Sequence, residues 1–471
     1  MDTSATLPTL LQDAPPRRDA AVCGDQRLSS AEVHDRAAQV AGALNARGIG
    51  HGDHVAFQMP TGIDALVMYH ACWIAGVVAI ALHPTAQARQ LTNALDQAEP
   101  ALLVADADSA LHSLPGAVTI DELTGGAVPP PSLQPGDDAV VLFSSGSTGA
   151  PKGVIHTHQS LVYKARQSID VHGLTADDVV LMPAPLAHVS GLLHAVLVPG
   201  VVGAKAVLMP KWDAGEALDL IESEHVTWMV GPPTFFLGLM NHPAFTPERT
   251  RTLRLISCGG AGVSPSFVTR ASEELGAIVK RAYGSTEAPT VTTSTNHDPT
   301  ERMITTDGRA HGDAEVHIAN DGEIWVRGPE LARGYLDSER NDESFVDGWF
   351  RTGDLGSLDD GWLTVTGRIG GRIIRGGENI STSEVEAILE SHPAVRQAVA
   401  LPEPDERLGE RVLAVVAADP GFDLAECQRW FVAQGATKFI TPERVVTVAA
   451  LPLLASGKVD RVTVATDAIP G

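Results

Sequence analysis

The sequence has few cysteines, and none of them forms part of a paired motif. Only Cys23, Cys72, Cys258 and Cys427 occur in 471 residues. A small secreted scaffold would carry more of them, and zinc or dithiol sites need two cysteines close together. The sequence therefore excludes a disulfide framework and a paired-cysteine metal site, and it predicts a reducing, cytoplasmic compartment.

Positive charge is also scarce. The chain has 34 Lys and Arg against 58 Asp and Glu, a formal net charge of −24. Nucleic acids and anionic membranes attract basic surfaces, so we expect neither as a partner. An anionic ligand would have to be held by individually placed cations, which makes each lysine or arginine next to a glycine-rich motif informative.

No segment is apolar for long enough to predict a membrane span. The N-terminus lacks a charged head followed by an apolar run, so no signal peptide is predicted. The most apolar stretch, residues 66–82, is interrupted by His70 and Gly76 and is short for a bilayer. For this stretch we predict a buried helix ending near Gly76 and a strand over residues 77–80, without membrane insertion.

Length and hydrophobic patterning predict an α/β protein of two domains. A chain of 471 residues exceeds one ordinary core. Strand-like runs alternate with helices over the first 230 residues, which predicts parallel α/β layers, and a small antiparallel meander or barrel follows them. We predict a large N-terminal domain over residues 1–368 and a small, mobile α+β C-terminal domain over residues 369–471. Capping patterns predict helix starts at residues 29–32 and 383–386.

One loop rich in glycine and hydroxyl groups has the composition of a phosphate-binding loop. The apolar run over residues 140–143 ends in six small residues, and Lys152 follows shortly after. The six are Ser144, Ser145, Gly146, Ser147, Thr148 and Gly149. Glycines let the backbone approach an anion closely, so that its N–H groups can surround the charge. Hydroxyls add donors, and the lysine adds a point charge.

The surroundings of this loop decide between two interpretations. A Walker A loop is excluded, because Pro151 stands where that motif needs its second glycine. A flexible linker has a similar composition. The loop, however, lies between a strand pattern and a second ordered segment, with a helix from about Thr157, which favours a phosphate loop.

Later motifs offer single candidate residues. Tyr283 and Gly284 offer an aromatic face and a close-approach glycine, and Glu287 a carboxylate for Mg²⁺. Asp354 is able to accept two ribose hydroxyls. Taken singly, these residues also fit ordinary turns and surface charges. His188, which lies among apolar residues, fits either a satisfied core histidine or a pocket residue.

Together, the motifs resemble those of the adenylate-forming, or AMP-binding, superfamily, and most closely the acyl- and aryl-CoA ligases. Five motifs occur in that family's order, at residues 144–153, 283–287, 351–354, 367–368 with 375–379, and 456–458. The resemblance covers the chain from about residue 30 to its C-terminus. It implies a site between a large N-terminal and a small rotating C-terminal domain.

The resemblance also implies a role for each matched position. Residues 144–149, with Lys152 beyond them, would wrap the β- and γ-phosphates of ATP. Catalytic roles fall to Lys458, to Thr286 at the α-phosphate and to Glu287 as the Mg²⁺ ligand. Other nucleotide-binding roles fall to Gly259, Gly260, Ala261, Tyr283, Gly284, Asp354 and Arg368. The acid pocket would be lined by His188, Val189, Gly231, Pro232 and Gly260.

The implied activity is the ATP-dependent conversion of a carboxylic acid to an acyl-adenylate, followed by transfer to CoA. No set of residues in the sequence fixes a pocket for the CoA nucleotide, which leaves the acceptor open. The sequence also departs from the family pattern at three places. Gly370 stands at the hinge position, where Asp or Lys is usual. Ala187 replaces a common aromatic residue, and Ser381 and Thr382 stand where many ligases have an aromatic–proline pair.

Two alternatives to a CoA ligase therefore remain. One is a stand-alone adenylating enzyme that uses a carrier-protein thiol or an amine as its acceptor, including enzymes that activate nitrite for diazotisation. The other is a non-catalytic nucleotide-binding module. The identity of the acid is not set by the motifs.

Overall fold

Three β-sheets organise the part of the chain that the structure describes. The structure is a computed structural model, and it describes residues 5–126, 131–144, 151–369, 371–375, 378–405 and 407–469. The strands are β1 (Ala21–Cys23), β2 (Gln26–Leu28), β3 (His54–Gln58), β4 (Val78–Leu82), β5 (Leu102–Ala105), β6 (Ala117–Val118), β7 (Asp138–Ser144), β8 (Lys152–Thr157), β9 (Val179–Met182), β10 (Lys205–Leu208), β11 (Trp228–Gly231), β12 (Leu255–Gly259), β13 (Ile278–Tyr283), β14 (Thr292–Thr293), β15 (Arg309–Ala310), β16 (Glu315–Ile318), β17 (Glu323–Arg327), β18 (Gly334–Tyr335), β19 (Phe345–Val346), β20 (Trp349–Asp359), β21 (Trp362–Arg368), β22 (Arg372–Arg375), β23 (Glu378–Ser381), β24 (Val395–Asp405), β25 (Gly409–Ala418) and β26 (Arg444–Val448).

Helices cover the sheets and connect their strands. They are α1 (Leu7–Gln12), α2 (Ser30–Ala46), α3 (Ile63–Ala75), α4 (Ala88–Ala98), α5 (His158–His172), α6 (Val189–Gly191), α7 (Val198–Val202), α8 (Ala214–Glu224), α9 (Pro233–Met240), α10 (Pro265–Leu275), α11 (Thr300–Thr305), α12 (Asn341–Ser344), α13 (Thr382–Glu390), α14 (Leu424–Ala433) and α15 (Arg461–Ala468). A π-helical segment, Leu192–Leu197, joins α6 to α7.

The first two sheets form the predicted parallel layers. In the largest sheet, β1, β10, β9, β11, β12 and β13 run parallel in that spatial order. In the second sheet, β7, β4, β3, β5 and β6 are parallel, and β8 and β18 add an antiparallel edge. The prediction of parallel α/β layers is confirmed. Because parallel strands end at the same edge of a sheet, the loops after β11, β12 and β13 lie side by side.

Local sequence explains several boundaries in these layers. The Ser29 hydroxyl oxygen accepts from the Glu32 backbone N–H, and the Glu32 carboxylate accepts from the Ser29 backbone N–H. These two bonds form the capping box predicted for α2. The apolar α3 ends at Gly76, whose φ of 73° is left-handed. This positive φ suits glycine and turns the chain directly into β4.

The largest sheet continues beyond β13 as the predicted antiparallel meander. Its order runs through β14, β15, β21, β20, β17 and β16. The short strand β19 pairs with the first two residues of β20. Buried apolar side chains from this region form a separate small cluster that includes Ile324, Val326 and Leu363. The meander thus carries the long hairpin of β20 and β21 to the same edge as the end of β13.

The C-terminal segment has a sheet and apolar clusters of its own. Strands β23, β22, β25 and β24 are antiparallel neighbours, and β26 joins β25 in parallel. One apolar cluster includes Val385 and Phe431, and another includes Leu413 and Val464. This is the α+β unit that was predicted for the last hundred residues.

The capping prediction for residues 383–386 is wrong. Helix α13 begins at Thr382 after an N-cap residue, Ser381, whose side chain makes no capping bond. The hydroxyls of Ser381 and Ser383 donate instead to the carbonyl oxygen of Thr366, at 2.6 and 2.7 Å. The Ser383 hydroxyl is therefore bonded to a distant carbonyl on β21 rather than to a backbone N–H of its own helix.

Among the described residues, no helix has both the length and the apolar character needed to span a lipid bilayer.

Candidate active site

The strand before the glycine-rich loop and the strand after it form a hairpin. Ser144 ends β7, Lys152 begins β8, and the two residues are register partners. The predicted phosphate-loop residues Ser145, Gly146, Ser147, Thr148 and Gly149 lie outside the described residues. The Lys152 ammonium nitrogen lies 5.2 Å from the centre of the Tyr335 ring. The hairpin therefore presents a cation beside the predicted loop.

A tyrosine from β18 connects this cation to the predicted magnesium ligand. Glu287 follows β13 and is only 8 % exposed. Its Oε1 atom accepts a hydrogen bond of 2.9 Å from the Tyr335 hydroxyl. Burial, with the negative charge of Glu287 second, raises the pKa of Tyr335, so its hydroxyl stays protonated and remains a donor. Tyr335 thus orients the Glu287 carboxylate.

The backbone next to Glu287 is held by a buried histidine. His156 on β8 places its Nε2 atom 2.7 Å from the carbonyl oxygen of Thr286. A carbonyl accepts only, so Nε2 carries the proton. Sequence reasoning named neither His156 nor Tyr335. Each lies more than 45 residues from the residue it contacts, and no local pattern signals such a bond.

Three strands bring Tyr283, Asp354 and Arg368 together. The Tyr283 hydroxyl donates to Asp354 Oδ2 at 3.0 Å. Asp354 and Arg368 are register partners on β20 and β21, with Arg368 Nε 3.5 Å from Asp354 Oδ1. Burial raises the pKa of Asp354, and the charge of Arg368 opposes that rise. The result is a partly buried carboxylate beside an aromatic ring.

The glycines at the ends of β12 and β13 allow the backbone to pack closely. A Cβ on Gly259 would stand 2.2 Å from the Ala282 carbonyl oxygen, and one on Gly284 would stand 2.3 Å from the Thr290 nitrogen. Gly260 has a φ of +76°, and Ala261 after it is exposed. Because they have no side chains, Gly259, Gly260 and Gly284 form a wall of backbone atoms next to Tyr283.

Lys458 reaches this wall from the C-terminal segment. A Cβ added to Gly260 would stand 3.1 Å from Cε and 3.5 Å from Nζ of Lys458. Burial, reinforced by the charge of Arg368, lowers the pKa of Lys458, and Asp354 opposes that effect. The Gly457 carbonyl just before it accepts a hydrogen bond from the Thr234 hydroxyl.

His188, one of the residues predicted to line the acid pocket, is half-buried. Its Nδ1 atom accepts from the Ser190 backbone at 3.2 Å. Burial first, and then the nearby charge of Lys458, lower the pKa of His188 to about 3, so the ring is neutral at ordinary pH. Val189 is buried, and a Cβ on Gly231 would stand 2.5 Å from the Phe235 ring. Pro232 precedes α9 as its N-cap residue.

The charge interactions among these groups show that they lie near one another. The charges of Arg368, Glu287 and Lys458 shift the pKa of Asp354. The charge of Lys458 also shifts the pKa of His188. The structure therefore brings together the described candidates from both segments, apart from the phosphate-loop residues that it does not describe. Within the described ranges, no group of three or more His, Cys, Asp or Glu side chains forms a metal centre.

Comparison with known proteins identifies the family. The family model for the AMP-binding enzyme matches residues 11–336, and the model for the AMP-binding enzyme C-terminal domain matches residues 384–458. The first match alone covers more than half of the chain. The chain belongs to the AMP-binding enzyme family.

Individual members of the AMP-binding family resemble the chain over nearly its whole length. A medium-chain fatty-acid–CoA ligase of Escherichia coli (strain K12) is 34% identical over 88% of this chain and 81% of its own length. A salicyl-AMP ligase / salicyl-S-ArCP synthetase of Mycobacterium tuberculosis is 33% identical, over 97% and 89%. The crystal structure of ATP-bound MatB from Rhodopseudomonas palustris has a TM-score of 0.89 and 29% identity, covering 98% of both chains.

These comparisons confirm the predicted superfamily, fold class and enzyme class. As an AMP-binding family member, the chain is an AMP-forming ligase that activates an acid with ATP, and related ligases pass the acyl group to CoA. The role of each residue and the domain boundary stay predictions.

Proposed function

We propose that the chain joins a small or medium-sized, mainly apolar carboxylic acid to CoA, in two steps within one cleft. The cleft lies between an N-terminal domain over residues 1–368 and a C-terminal domain from residue 369 onwards. One observation carries the proposal. Lys458, from the C-terminal segment, lies against Gly260 and within electrostatic reach of Asp354, Arg368 and His188. A lysine supplied from another domain is suited to act in one step and be withdrawn in the next.

ATP would lie along the edge formed by the ends of β12, β13 and β21 and by the middle of β20. The adenine would lie against Tyr283, lined by Gly259, Gly260, Ala261 and Gly284. The ribose hydroxyls would bind Asp354, whose carboxylate is oriented by the Tyr283 hydroxyl and faces Arg368. Residues 144–149 and Lys152 would hold the β- and γ-phosphates, and Thr286 the α-phosphate.

Glu287 has the properties of a Mg²⁺ ligand. Magnesium prefers hard oxygen ligands and is often held by one or two carboxylates together with substrate phosphates. The Tyr335 hydroxyl orients the Glu287 carboxylate, and the Lys152 ammonium group lies over the ring of the same tyrosine. When bound, Mg²⁺ would neutralise charge on the phosphate oxygens.

In the first step, a carboxylate oxygen of the acid attacks the α-phosphorus of ATP. The bond from the α-phosphorus to the bridging oxygen breaks, and pyrophosphate leaves with the electron pair. Two anions must approach each other while charge builds on the phosphoryl oxygens. The Lys458 ammonium would bind the acid carboxylate and an α-phosphate oxygen, which offsets that repulsion where it is greatest.

The acid itself would occupy the small and apolar surface next to Lys458. Val189, Gly231 and Pro232 would supply its walls, together with the neutral ring of His188. A neutral ring carries no charge that would bind a second carboxylate of the acid. The pocket therefore favours acids whose far end is uncharged.

In the second step, a thiolate attacks the acyl carbon of the adenylate. The bond from the acyl carbon to the oxygen shared with phosphorus breaks, AMP leaves with that oxygen, and the thiol proton passes to solvent. Lys458 would have to leave so that the thiol can enter. The hydroxyls of Ser381 and Ser383 on the Thr366 carbonyl would hold the small domain until it rotates. The predicted hinge residue Gly370, and the glycines at 376 and 377, lie outside the described residues.

A pyrophosphate-release panel tests this function. Aliphatic, aromatic and dicarboxylic acids, together with nitrite, are incubated with ATP and Mg²⁺, with and without CoA. We expect pyrophosphate release with apolar monocarboxylic acids, and acyl-CoA with AMP when CoA is added. If the protein binds ATP but releases pyrophosphate in none of the arms, the proposal is contradicted and a nucleotide-binding module is supported.

A carrier-protein thiol or an amine is the second candidate acceptor. The observation in its favour is the similarity to the salicyl-AMP ligase / salicyl-S-ArCP synthetase, which covers 97% of this chain. In the same panel, this alternative predicts acid-dependent pyrophosphate release with no acyl-CoA. The acyl group would then be captured by a phosphopantetheinylated carrier protein or by an added amine.

A further inference from the structure

The turn that carries Lys458 rests on the first turn of α9. Thr234 is the second residue of that helix, and its hydroxyl donates to the carbonyl oxygen of Gly457. The two residues are 223 positions apart, so the bond joins the N-terminal and C-terminal segments. Gly260, also in the N-terminal segment, lies against the Lys458 side chain.

Gly457 fits into this place because it has no side chain. Its φ is +79°, a left-handed value that other residues adopt at a cost. A Cβ at this position would stand 2.4 Å from the Phe235 ring and 3.0 Å from Pro232 Cγ. The Phe235 ring is fully buried, and its centre lies 4.5 Å from that of Trp212. The Phe235 ring, against which Gly457 packs, is therefore held in place by its neighbours.

The acceptor of the Thr234 bond belongs to the peptide unit that leads into Lys458. A peptide unit is planar, so the Gly457 carbonyl and the Lys458 amide nitrogen turn as one rigid group. A hydrogen bond to that carbonyl restrains the plane and, with it, the position of the Lys458 Cα atom from which the side chain leaves the backbone. Backbone bonds between Leu454 and the residues Gly457 and Lys458 hold the shape of the turn, and the Thr234 bond ties that turn to the N-terminal segment. Because a lysine side chain has many rotamers, a restrained Cα narrows the region that its ammonium group can reach.

We propose that Thr234 is a positioning residue for the first half-reaction and acts through Lys458. The inference rests on the proposed role of Lys458 in adenylate formation. Thr234 belongs to the N-terminal segment and Gly457 to the C-terminal one, so domain rotation would break the bond before the thiol enters. Thr234 would then have no part in thioester formation.

The test compares Thr234→Val with Thr234→Ser, using the acid that gives the fastest pyrophosphate release. Valine keeps the shape but removes the hydroxyl, and serine keeps the hydroxyl. We expect T234V to lower kcat for pyrophosphate release about tenfold, the scale of one lost hydrogen bond. The KM for ATP should stay within about twofold, because ground-state binding is not changed. T234S should recover most of the rate.

Two further measurements separate positioning from a general structural effect. Thioester formation from synthetic acyl-adenylate and CoA should proceed at the wild-type rate in T234V. The matched control is Thr269→Val, since the Thr269 hydroxyl donates to a carbonyl of its own helix, that of Pro265. It should leave both half-reactions unchanged. If T234V folds poorly, Thr234→Ala provides the same comparison.

A double-mutant comparison distinguishes failure of this inference from failure of the proposed function. In a Lys458→Ala background, T234V should cause no further loss. If K458A abolishes adenylation but T234V has the wild-type kcat, Thr234 has no positioning role. Equal losses in both half-reactions, together with a lower Tm, would also overturn the inference. If K458A itself keeps wild-type adenylation, the role of Lys458 fails, and the role of Thr234 fails with it.

Discussion

Replacement of Lys458 by alanine is expected to lower acid-dependent pyrophosphate release by about 100- to 1,000-fold, the usual loss when one preorganised charge donor is removed at a transition state. The effect should fall on kcat, because the charge that Lys458 offsets is greatest while the acid carboxylate approaches the α-phosphate. ATP binding should change little, since the proposed phosphate loop, Asp354 and Arg368 are untouched.

The measurement pairs steady-state pyrophosphate release with direct titration of ATP binding. Lys438→Ala is the matched control, because Lys438 is an exposed lysine of the same C-terminal segment. It should behave as wild type. Wild-type release by K458A, or a loss confined to the KM for ATP, would contradict the role proposed for Lys458.

Replacement of Glu287 by glutamine is expected to have the second-largest effect. Glutamine keeps the size of the side chain and an oxygen that accepts from the Tyr335 hydroxyl, but it removes the charge that would bind Mg²⁺. We expect a loss of about 100-fold in kcat for adenylation. The Mg²⁺ concentration that gives half-maximal activity should rise at least about tenfold.

A magnesium titration at saturating ATP tests this prediction. Glu330→Gln is the matched control, because Glu330 is also a buried carboxylate, 1 % exposed, whose pKa is raised by burial. It should leave the Mg²⁺ requirement unchanged. An E287Q variant with the wild-type Mg²⁺ dependence would rule out Glu287 as the ligand.

Local sequence patterns predicted the architecture well. The capping box of α2, the glycine stop after α3 and the meander over β17, β20 and β21 all follow from short-range rules. These rules work because capping bonds and strand alternation involve residues close together in the chain. The C-terminal α+β unit was predicted for the same reason.

The residues that support the candidate site could not be predicted in this way. Tyr335 orients Glu287 across 48 residues, and Thr234 contacts the Lys458 turn across 223. Neither contact leaves a periodic or capping signal. Ser383 shows the reverse error, since a local capping pattern was overridden by a carbonyl on β21. The nucleotide roles came from resemblance to a family, because each motif alone also fitted an ordinary turn.

The most direct measurement follows oxygen from the acid to AMP. The acid selected in the panel is labelled with ¹⁸O in both carboxylate positions and converted with ATP and CoA, and the AMP is analysed by mass spectrometry. Attack of the carboxylate on the α-phosphorus, followed by thiol attack on the acyl carbon, leaves one ¹⁸O atom in each AMP. Acid-dependent turnover that yields AMP without ¹⁸O would show that no acyl-adenylate is formed.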